Sequence, residues 1–262
     1  MKGIHPCCLT IAGSDSGGNA GVQADLRTFH AYKLHGCTVF TALTAQNPNG
    51  VYAIENVAAD FVASQLDAVL GTYSIAALKT GMLSSYDVVA KVAEKIKLYP
   101  EIKKVVDPVM VATSGAKLIG NSARRAMEEF LFPLATVITP NIPEAEVLSE
   151  RSIESLADVR DAAKRLYDKF GAAVLIKGGH AARDAEHAED ILFDGEDFTS
   201  FSLPWIENSV STHGTGCTLS AALASEMALG RDLKEALVGA KKYVHQAIEK
   251  SYFVGDDCGV LY

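Results

Sequence analysis

One short segment, Thr212 to Thr218, contains two glycines, three hydroxyl side chains and the thiol of Cys217. Leu219, Leu223 and Met227 follow at helical spacing, so the pattern predicts a helix that begins inside the segment. The free amides and the positive dipole end of such a helix attract anions, and a thiol placed there is expected to have a lowered pKa. An anion site beside a base indicates phosphoryl transfer to a hydroxyl; the alternative is a glycine-rich turn before a core helix.

Two carboxylates and one lysine are candidates for a phosphate and metal site. Asp107 follows a strand-like run and Glu144 lies in the segment that begins at Asn141, and Mg²⁺ needs only one or two carboxylates in addition to substrate phosphates and water. Glu144 could instead cap the first turn of a helix. Lys177 ends an apolar run, from which its ammonium either binds nucleotide phosphates or extends into solvent.

Other polar residues suit recognition of a small ligand. The loop from Gly13 to Gly21 has neither G-x-G-x-x-G nor G-K-[ST], which excludes Rossmann and Walker motifs; it either closes over a small ligand or is a flexible connector. Asp25 could accept hydrogen bonds from a substrate, or simply be solvated. Gln46 suits the polar edge of a heteroaromatic ring, or is an ordinary loop residue. His180 and His213 have no metal-ligand spacing and are interpreted as loop or helix-entry polar groups.

The elements that must position these residues alternate along the chain. Strands are predicted at 7–12, 37–43, 76–80, 105–107, 136–139 and 173–177, with a hairpin at 190–203. Helices are predicted at 60–70, 86–98, 121–131, 155–170, 214–229 and 232–252, and around Val22, Leu26 and Phe29. This alternation predicts an α/β fold with a mostly parallel sheet covered on both faces, in a single domain over residues 1–262.

The unusual loop residues follow these strands directly. They lie at 13–21, 46–47, 81–82, 107–108, 141–144 and 178–180. Ligands of parallel sheets bind beyond the carboxyl ends of the strands, so we expect these loops to share one rim.

Composition excludes several classes of protein. The 262 residues have a formal net charge of −8, so the overall charge does not favour binding to nucleic acid or to an anionic membrane. The five cysteines form no C-x-x-C, and no apolar run approaches the length of a membrane span. We expect reduced thiols, no signal peptide and a cytoplasmic location.

Taken together, the motifs resemble the ribokinase-like superfamily, and within it the hydroxymethylpyrimidine/phosphomethylpyrimidine kinase family. The resemblance extends nearly end to end, over residues 9–15, 21–26, 41–47, 79–83, 106–110, 139–144, 176–180 and 213–220. It implies a three-layer α/β/α fold and ATP- and Mg²⁺-dependent phosphorylation of 4-amino-5-hydroxymethyl-2-methylpyrimidine, then of its monophosphate.

The resemblance also implies the roles of particular residues. The pyrimidine pocket would be formed by Gly13, Asp25, Gln46, Met82 and Val109. The anion hole would be formed by Gly214, Thr215 and Gly216, with Cys217 as the base. The nucleotide and magnesium region would contain Asp107, Asn141 and Glu144, with Lys177 in a nucleotide-binding segment. A homodimer and a monovalent cation such as K⁺ are further expectations.

Three alternatives stay open. A pyridoxal or pyridoxine kinase would act on a ring of similar size that also bears a hydroxymethyl group. A sugar kinase would need more polar groups than this largely apolar pocket offers, and a catalytically silent pyrimidine-binding module would bind without turnover. One departure from the family pattern is Asn19, where relatives have glycine; asparagine tolerates the left-handed backbone that such a turn requires.

Overall fold

A computed structural model describes residues 5–110, 118–178, 187–207, 209–255 and 258–261. The strands of its large sheet are β1 (Cys7–Asp15), β2 (His35–Asn47), β3 (Gly50–Asn56), β4 (Ile75–Thr80), β5 (Lys103–Val106), β6 (Val137–Ile138), β7 (Ala173–Lys177), β8 (His187–Phe193) and β9 (Phe198–Pro204). They are arranged in the order β3-β2-β1-β4-β5-β6-β7-β8-β9. Six neighbouring strands pair in parallel, namely β2, β1, β4, β5, β6 and β7. Strand β3 at one edge, and β8 and β9 at the other, pair in the antiparallel sense. The predicted mostly parallel sheet is confirmed.

Helices cover both faces of this sheet. They are α1 (Gly21–Ala31), α2 (Ala59–Leu70), α3 (Tyr86–Ile96), α4 (Asn121–Ala126), α5 (Ile142–Ser149), α6 (Leu156–Phe170), α7 (Thr215–Ala228) and α8 (Leu233–Glu249). One apolar core is built with α2 to α6, and the other with α1, α7 and α8. Along β1, Cys7 and Leu9 enter the first core and Cys8 enters the second, because successive side chains of a strand point to opposite faces. The fold has three layers, as expected.

Two hairpins are absent from the sequence prediction. Strand β2 continues past residue 43 and pairs with β3, none of whose residues is buried. Beyond α8, which ends at Glu249 rather than 252, β10 (Tyr252–Gly255) pairs with β11 (Cys258–Val260), and all of β10 is exposed. Strands without a buried face lack the hydrophobic alternation on which the prediction depends.

The predicted rim is present at the carboxyl ends of the parallel strands. The loops at 13–21, 81–82, 107–108 and 141–144 leave the sheet at this one edge, because β1, β4, β5 and β6 all run in the same direction. Gly178 follows β7 there, whereas Gly179 and His180 lie outside the described residues. Within the described ranges, no helix is both long enough and apolar enough to cross a bilayer.

Candidate active site

Helix α7 begins at the rim without a side-chain cap. Its boundary residue, Gly214, has a left-handed backbone (φ +85°) and, being glycine, provides no side chain to accept a hydrogen bond from the amides that follow. Four other helices begin with such a cap, from Ser85, Asn141, Ser155 and Asp232. The first amides of a helix lack partners within the helix, and the Thr215 amide makes only a long 3.4 Å bond to the Thr212 carbonyl, so this end of α7 can receive an anion.

Cys217 lies in the first turn of α7 and is half-buried. Burial raises the pKa of its thiol; Lys79 and the Gly21 amide lower it, and the carboxylates of Asp25 and Asp107 raise it further. The predicted lowering of this pKa by the helix end is therefore wrong. Desolvation is the largest influence on this thiol, and it disfavours the charged thiolate.

Asp107 links the end of β5 to both β7 and α7. One carboxylate oxygen lies 3.0 Å from the Lys177 ammonium, and the other accepts a 3.1 Å hydrogen bond from the Ser220 hydroxyl. The Cβ position of Gly216 lies 3.5 Å from Lys177 Nζ and 4.0 Å from Asp107 Oδ2. The Lys177 side chain therefore does not extend into solvent but lies under the open end of α7. Val109, a predicted pocket residue, is half-buried and lies two residues after Asp107 in the same loop.

Glu144 forms the helix cap that was the alternative to a metal ligand. The Asn141 side chain accepts from the Glu144 amide, and the Glu144 carboxylate accepts from the Asn141 amide, which is a capping box at the start of α5. Its second oxygen accepts from the Met110 amide at 3.3 Å. Burial raises the pKa of Glu144 to about 7, with Lys177 lowering it and Asp107 raising it. Glu144 and Asp107 therefore lie in one electrostatic cluster with Lys177.

Asp25 is fully buried in an ion pair rather than solvated. Both of its oxygens lie 2.9 Å from the Lys79 ammonium, and Oδ2 accepts a 2.6 Å hydrogen bond from Thr10. Burial raises the pKa of Asp25, whereas Lys79 and Thr10 lower it; three short contacts with donors identify the carboxylate form. Lys79 was missed, although a lysine inside the predicted strand 76–80 must be paired if that strand is buried.

The first loop is organised by Asp15, which the sequence analysis did not single out. Its carboxylate accepts from the amides of Gly17 (2.8 Å), Asn19 (3.0 Å) and Ala20 (2.8 Å). The loop is therefore a turn held in place by hydrogen bonds rather than a flexible connector. Asn19 is not in the left-handed region; Gly18, at φ +78°, takes that conformation. The departure from the family pattern at residue 19 thus imposes no backbone strain.

Three predicted pocket residues lie around this loop. The Cβ position of Gly13 is 3.5 Å from the sulfur of Met82, so the loop after β4 packs on the end of β1. Gln46 is half-buried and fixed by Ser16, whose hydroxyl bonds to both its carbonyl and its amide at 2.8 Å. Among the described residues, the Gln46 side-chain oxygen accepts a 3.3 Å bond from Thr44 and the side-chain NH₂ group has no partner, so that group is available to a ligand. Asp25, by contrast, is engaged within the protein.

Comparison with known proteins places this arrangement in one family. A family model described as phosphomethylpyrimidine kinase matches residues 15–261. The hydroxymethylpyrimidine/phosphomethylpyrimidine kinase of Bacillus subtilis is 42% identical over 96% of this chain and 92% of its own. A thiamine biosynthesis bifunctional protein of Geobacter sulfurreducens is 48% identical over 94% of this chain, which spans 50% of that longer protein.

Solved structures are similar over nearly the whole chain. A Bacillus subtilis pyridoxal kinase in an ADP complex has a TM-score of 0.90 at 37% identity, covering 98% of this chain and 97% of that one. Staphylococcus aureus pyridoxal kinase in complex with AMP-PCP and pyridoxal has a TM-score of 0.89 at 33% identity, with 99% and 94% covered. Clostridium difficile phosphomethylpyrimidine kinase has a TM-score of 0.81 at 40% identity, with 92% and 99% covered. Because the family model matches residues 15–261 and the Bacillus subtilis relative is similar over nearly the whole chain, this chain belongs to the phosphomethylpyrimidine kinase family.

Proposed function

We propose that the protein transfers the γ-phosphoryl group of ATP to 4-amino-5-hydroxymethyl-2-methylpyrimidine, and then to the resulting monophosphate, in thiamine biosynthesis. The observation that carries this proposal is the uncapped start of α7, with Cys217 in its first turn and the Asp107–Lys177 pair beneath it. The names of the Bacillus subtilis and Geobacter sulfurreducens relatives support the same reaction and pathway.

The pyrimidine would lie between the first loop and the loops after β4 and β5. Gln46 would pair with the polar edge of the ring, and Met82 and Val109 would contact its faces. Gly13 leaves room at the end of β1 because it has no side chain. Asp25 would act from beneath the pocket, since its carboxylate is fully buried and bound to Lys79.

The nucleotide would bind on the side of Asp107, Asn141, Glu144 and Lys177. Counting partners among the described residues, each oxygen of the Asp107 and Glu144 carboxylates has one hydrogen-bond or ion-pair partner and keeps a lone pair. These hard oxygen donors fit Mg²⁺ held largely through water, and the bound ion would neutralise phosphate charge. K⁺ is an additional proposed cofactor, tested by replacing it with Na⁺ in the assay.

The two phosphorylation steps differ in their acceptor groups, an alcohol in the first step and a phosphate in the second. In the first step the substrate hydroxyl oxygen attacks the γ-phosphorus, the bond to the β–γ bridging oxygen breaks to release ADP, and the hydroxyl proton passes to the Cys217 thiolate. Amides of Gly214, Thr215 and Gly216 would stabilise the charge on the transferred group, as Lys177 would. In the second step the acceptor is a phosphate that is already ionised at neutral pH, so no proton has to be removed.

Gly214→Ala is expected to lower kcat for the first step roughly 100-fold, because displacement of a positioning group by about 1 Å has an effect of this size. A Cβ at Gly214 would overlap the carbonyl oxygen of Asn19, and the positive φ disfavours any side chain. Gly230→Ala is the matched control, since Gly230 has φ +86° but open space around its Cβ position. Equal steady-state kinetics for the two variants would contradict the proposed anion hole.

Lys177→Met is expected to raise KM for ATP roughly 10- to 100-fold, the effect of losing one hydrogen bond to a charged group. KM for the pyrimidine should change little, because Gly13, Gln46 and Met82 are unaltered. Initial rates with each substrate varied separately provide the measurement. A rise confined to the pyrimidine KM would show that Lys177 does not serve the nucleotide.

A pyridoxal kinase is the second candidate, favoured by the close structural similarity to two pyridoxal kinases. ADP formation should be compared with hydroxymethylpyrimidine, its monophosphate and pyridoxal as acceptors. Turnover of both pyrimidines supports the proposed function, and turnover of pyridoxal alone moves the assignment. Binding of the pyrimidine without ADP formation with any acceptor would instead identify a silent binding module.

The organisation of the protein is also a proposal. We propose one kinase domain over residues 1–262, acting in the cytoplasm as a homodimer. Sedimentation velocity of the purified chain tests the dimer: a single species of twice the chain mass is expected, and a monomer at assay concentrations would contradict it.

A further inference from the structure

His213 precedes the anion-binding turn and has no role in the proposed mechanism. Its Nε2 atom is buried, makes no hydrogen bond within the described part of the chain, and lies 3.9 Å from Asp15 Oδ2. Its backbone amide donates to Ser211 at 3.2 Å, which fixes the start of the turn. Burial lowers the pKa of the imidazole and Asp15 raises it, with a net lowering, so the ring is neutral near pH 7. A buried ring nitrogen without a partner requires an explanation.

The nearest acceptor, Asp15, holds the first loop together. Its carboxylate binds three backbone amides, those of residues 17, 19 and 20, and is itself almost fully buried. The loop and the turn also meet at a second point, where the Asn19 carbonyl occupies the place that a Cβ of residue 214 would take. His213 and Gly214 thus both face the loop that Asp15 ties.

We infer that His213 is a positioning residue, whose Nε2–H faces the Asp15 carboxylate and fixes the acceptor-binding loop relative to the phosphoryl-binding turn. Gly13 and the start of α1 belong to the first segment, and the α7 amides with Cys217 belong to the second. A kinase must align an acceptor held by one segment with a phosphoryl group held by the other, and small errors in this alignment are costly. This inference rests on the proposed kinase function.

Two amide variants test which ring nitrogen matters. In His213→Gln the side-chain nitrogen occupies approximately the position of Nε2, whereas in His213→Asn it occupies that of Nδ1. We expect His213→Gln to retain most of the kcat/KM for hydroxymethylpyrimidine, and His213→Asn and His213→Ala to lose roughly 10- to 100-fold. KM for ATP should stay near the wild-type value in all three. A merely structural role would affect Gln and Asn alike, so equal values for those two variants would overturn the inference.

A double-mutant cycle with Asp15→Asn tests the partner. If His213 acts through Asp15, kcat/KM of the double variant His213→Asn/Asp15→Asn should be no lower than that of the less active single variant. Multiplicative losses would overturn the inference, as would wild-type kcat/KM in both His213→Asn and His213→Ala. His245→Ala is the matched control, because this half-buried histidine lies in α8, bonds to the Pro204 carbonyl and should keep wild-type kinetics when it is replaced. Wild-type turnover is measured first; its absence would reject the kinase function itself.

Discussion

Replacing Cys217 by alanine is expected to slow phosphorylation of the pyrimidine alcohol 10²- to 10⁴-fold, the contribution of a positioned general base. The alcohol must lose a proton as its oxygen bonds to phosphorus. The monophosphate acceptor is already ionised, since its second pKa is about 6, so the same substitution should slow the second step much less. The ratio of the two losses distinguishes a base from a residue that only shapes the site.

The two phosphorylation steps should also differ in how their rates depend on pH. Burial raises the pKa of Cys217, so the thiolate fraction is small at neutral pH. The rate of the alcohol step should therefore increase with pH beyond 8.5, the ordinary thiol pKa. The monophosphate step should be nearly flat above pH 7. These profiles are measured for wild-type protein and Cys217→Ala by single-turnover quench experiments with each acceptor. Equal losses in both steps, or an alcohol step that levels off below pH 7, would contradict a base role for Cys217.

Lys79→Met is expected to lower the free energy of unfolding by about 3–5 kcal/mol, because it leaves Asp25 as an unpaired charge in the interior. Both members of this pair are completely buried, and of the described donors to Asp25 the Thr10 hydroxyl is the one that remains after the change. Burial lowers the pKa of Lys79, but Asp25 and the other neighbouring acidic groups raise it by a larger amount. The net shift is therefore upward, and Lys79 is an ammonium ion in the native protein. In a chain of this size the expected fall in Tm is roughly 6–20 °C.

The double variant Asp25→Leu/Lys79→Met should recover much of that loss, because replacing both buried charges with apolar groups is often close to neutral. Lys91→Met is a matched control: Lys91 pairs with Glu94 at the surface and the substitution should leave Tm unchanged. Thermal unfolding followed by circular dichroism at fixed pH measures all three. A wild-type Tm for Lys79→Met would show that the pair does not exist in solution.

Strands and helices with a buried face were predictable from the sequence. Strand β1 is a short apolar run that is buried along almost its whole length, and helix α6 buries Ala163 and Leu166 of its predicted apolar face, whereas Leu156 near its start is exposed. The strand that was missed at the sheet edge, β3, has no buried residue and therefore no pattern. The rim was predictable because parallel strands end on one side of a sheet.

The contents of the candidate site were predicted less well, because they depend on contacts between distant segments. A helix end indicates a low thiol pKa, but burial, which depends on the whole fold, reverses the sign at Cys217. Asp25 pairs with Lys79, 54 residues away, and Asp107 with Lys177, 70 residues away. The strand pattern predicts that Gln46 and Met82 lie at one rim, but their place in a single pyrimidine pocket was predicted from the family resemblance.

A ³¹P NMR time course on the wild-type protein with ATP, Mg²⁺ and hydroxymethylpyrimidine tests the central claim most directly. We expect the monophosphate signal to appear first and then to be converted to the diphosphate, with two equivalents of ADP formed for each pyrimidine consumed. Parallel samples with pyridoxal, and without an acceptor, establish the background. ATP that stays unchanged in the presence of the pyrimidine, under conditions where the protein is folded and binds nucleotide, would contradict it.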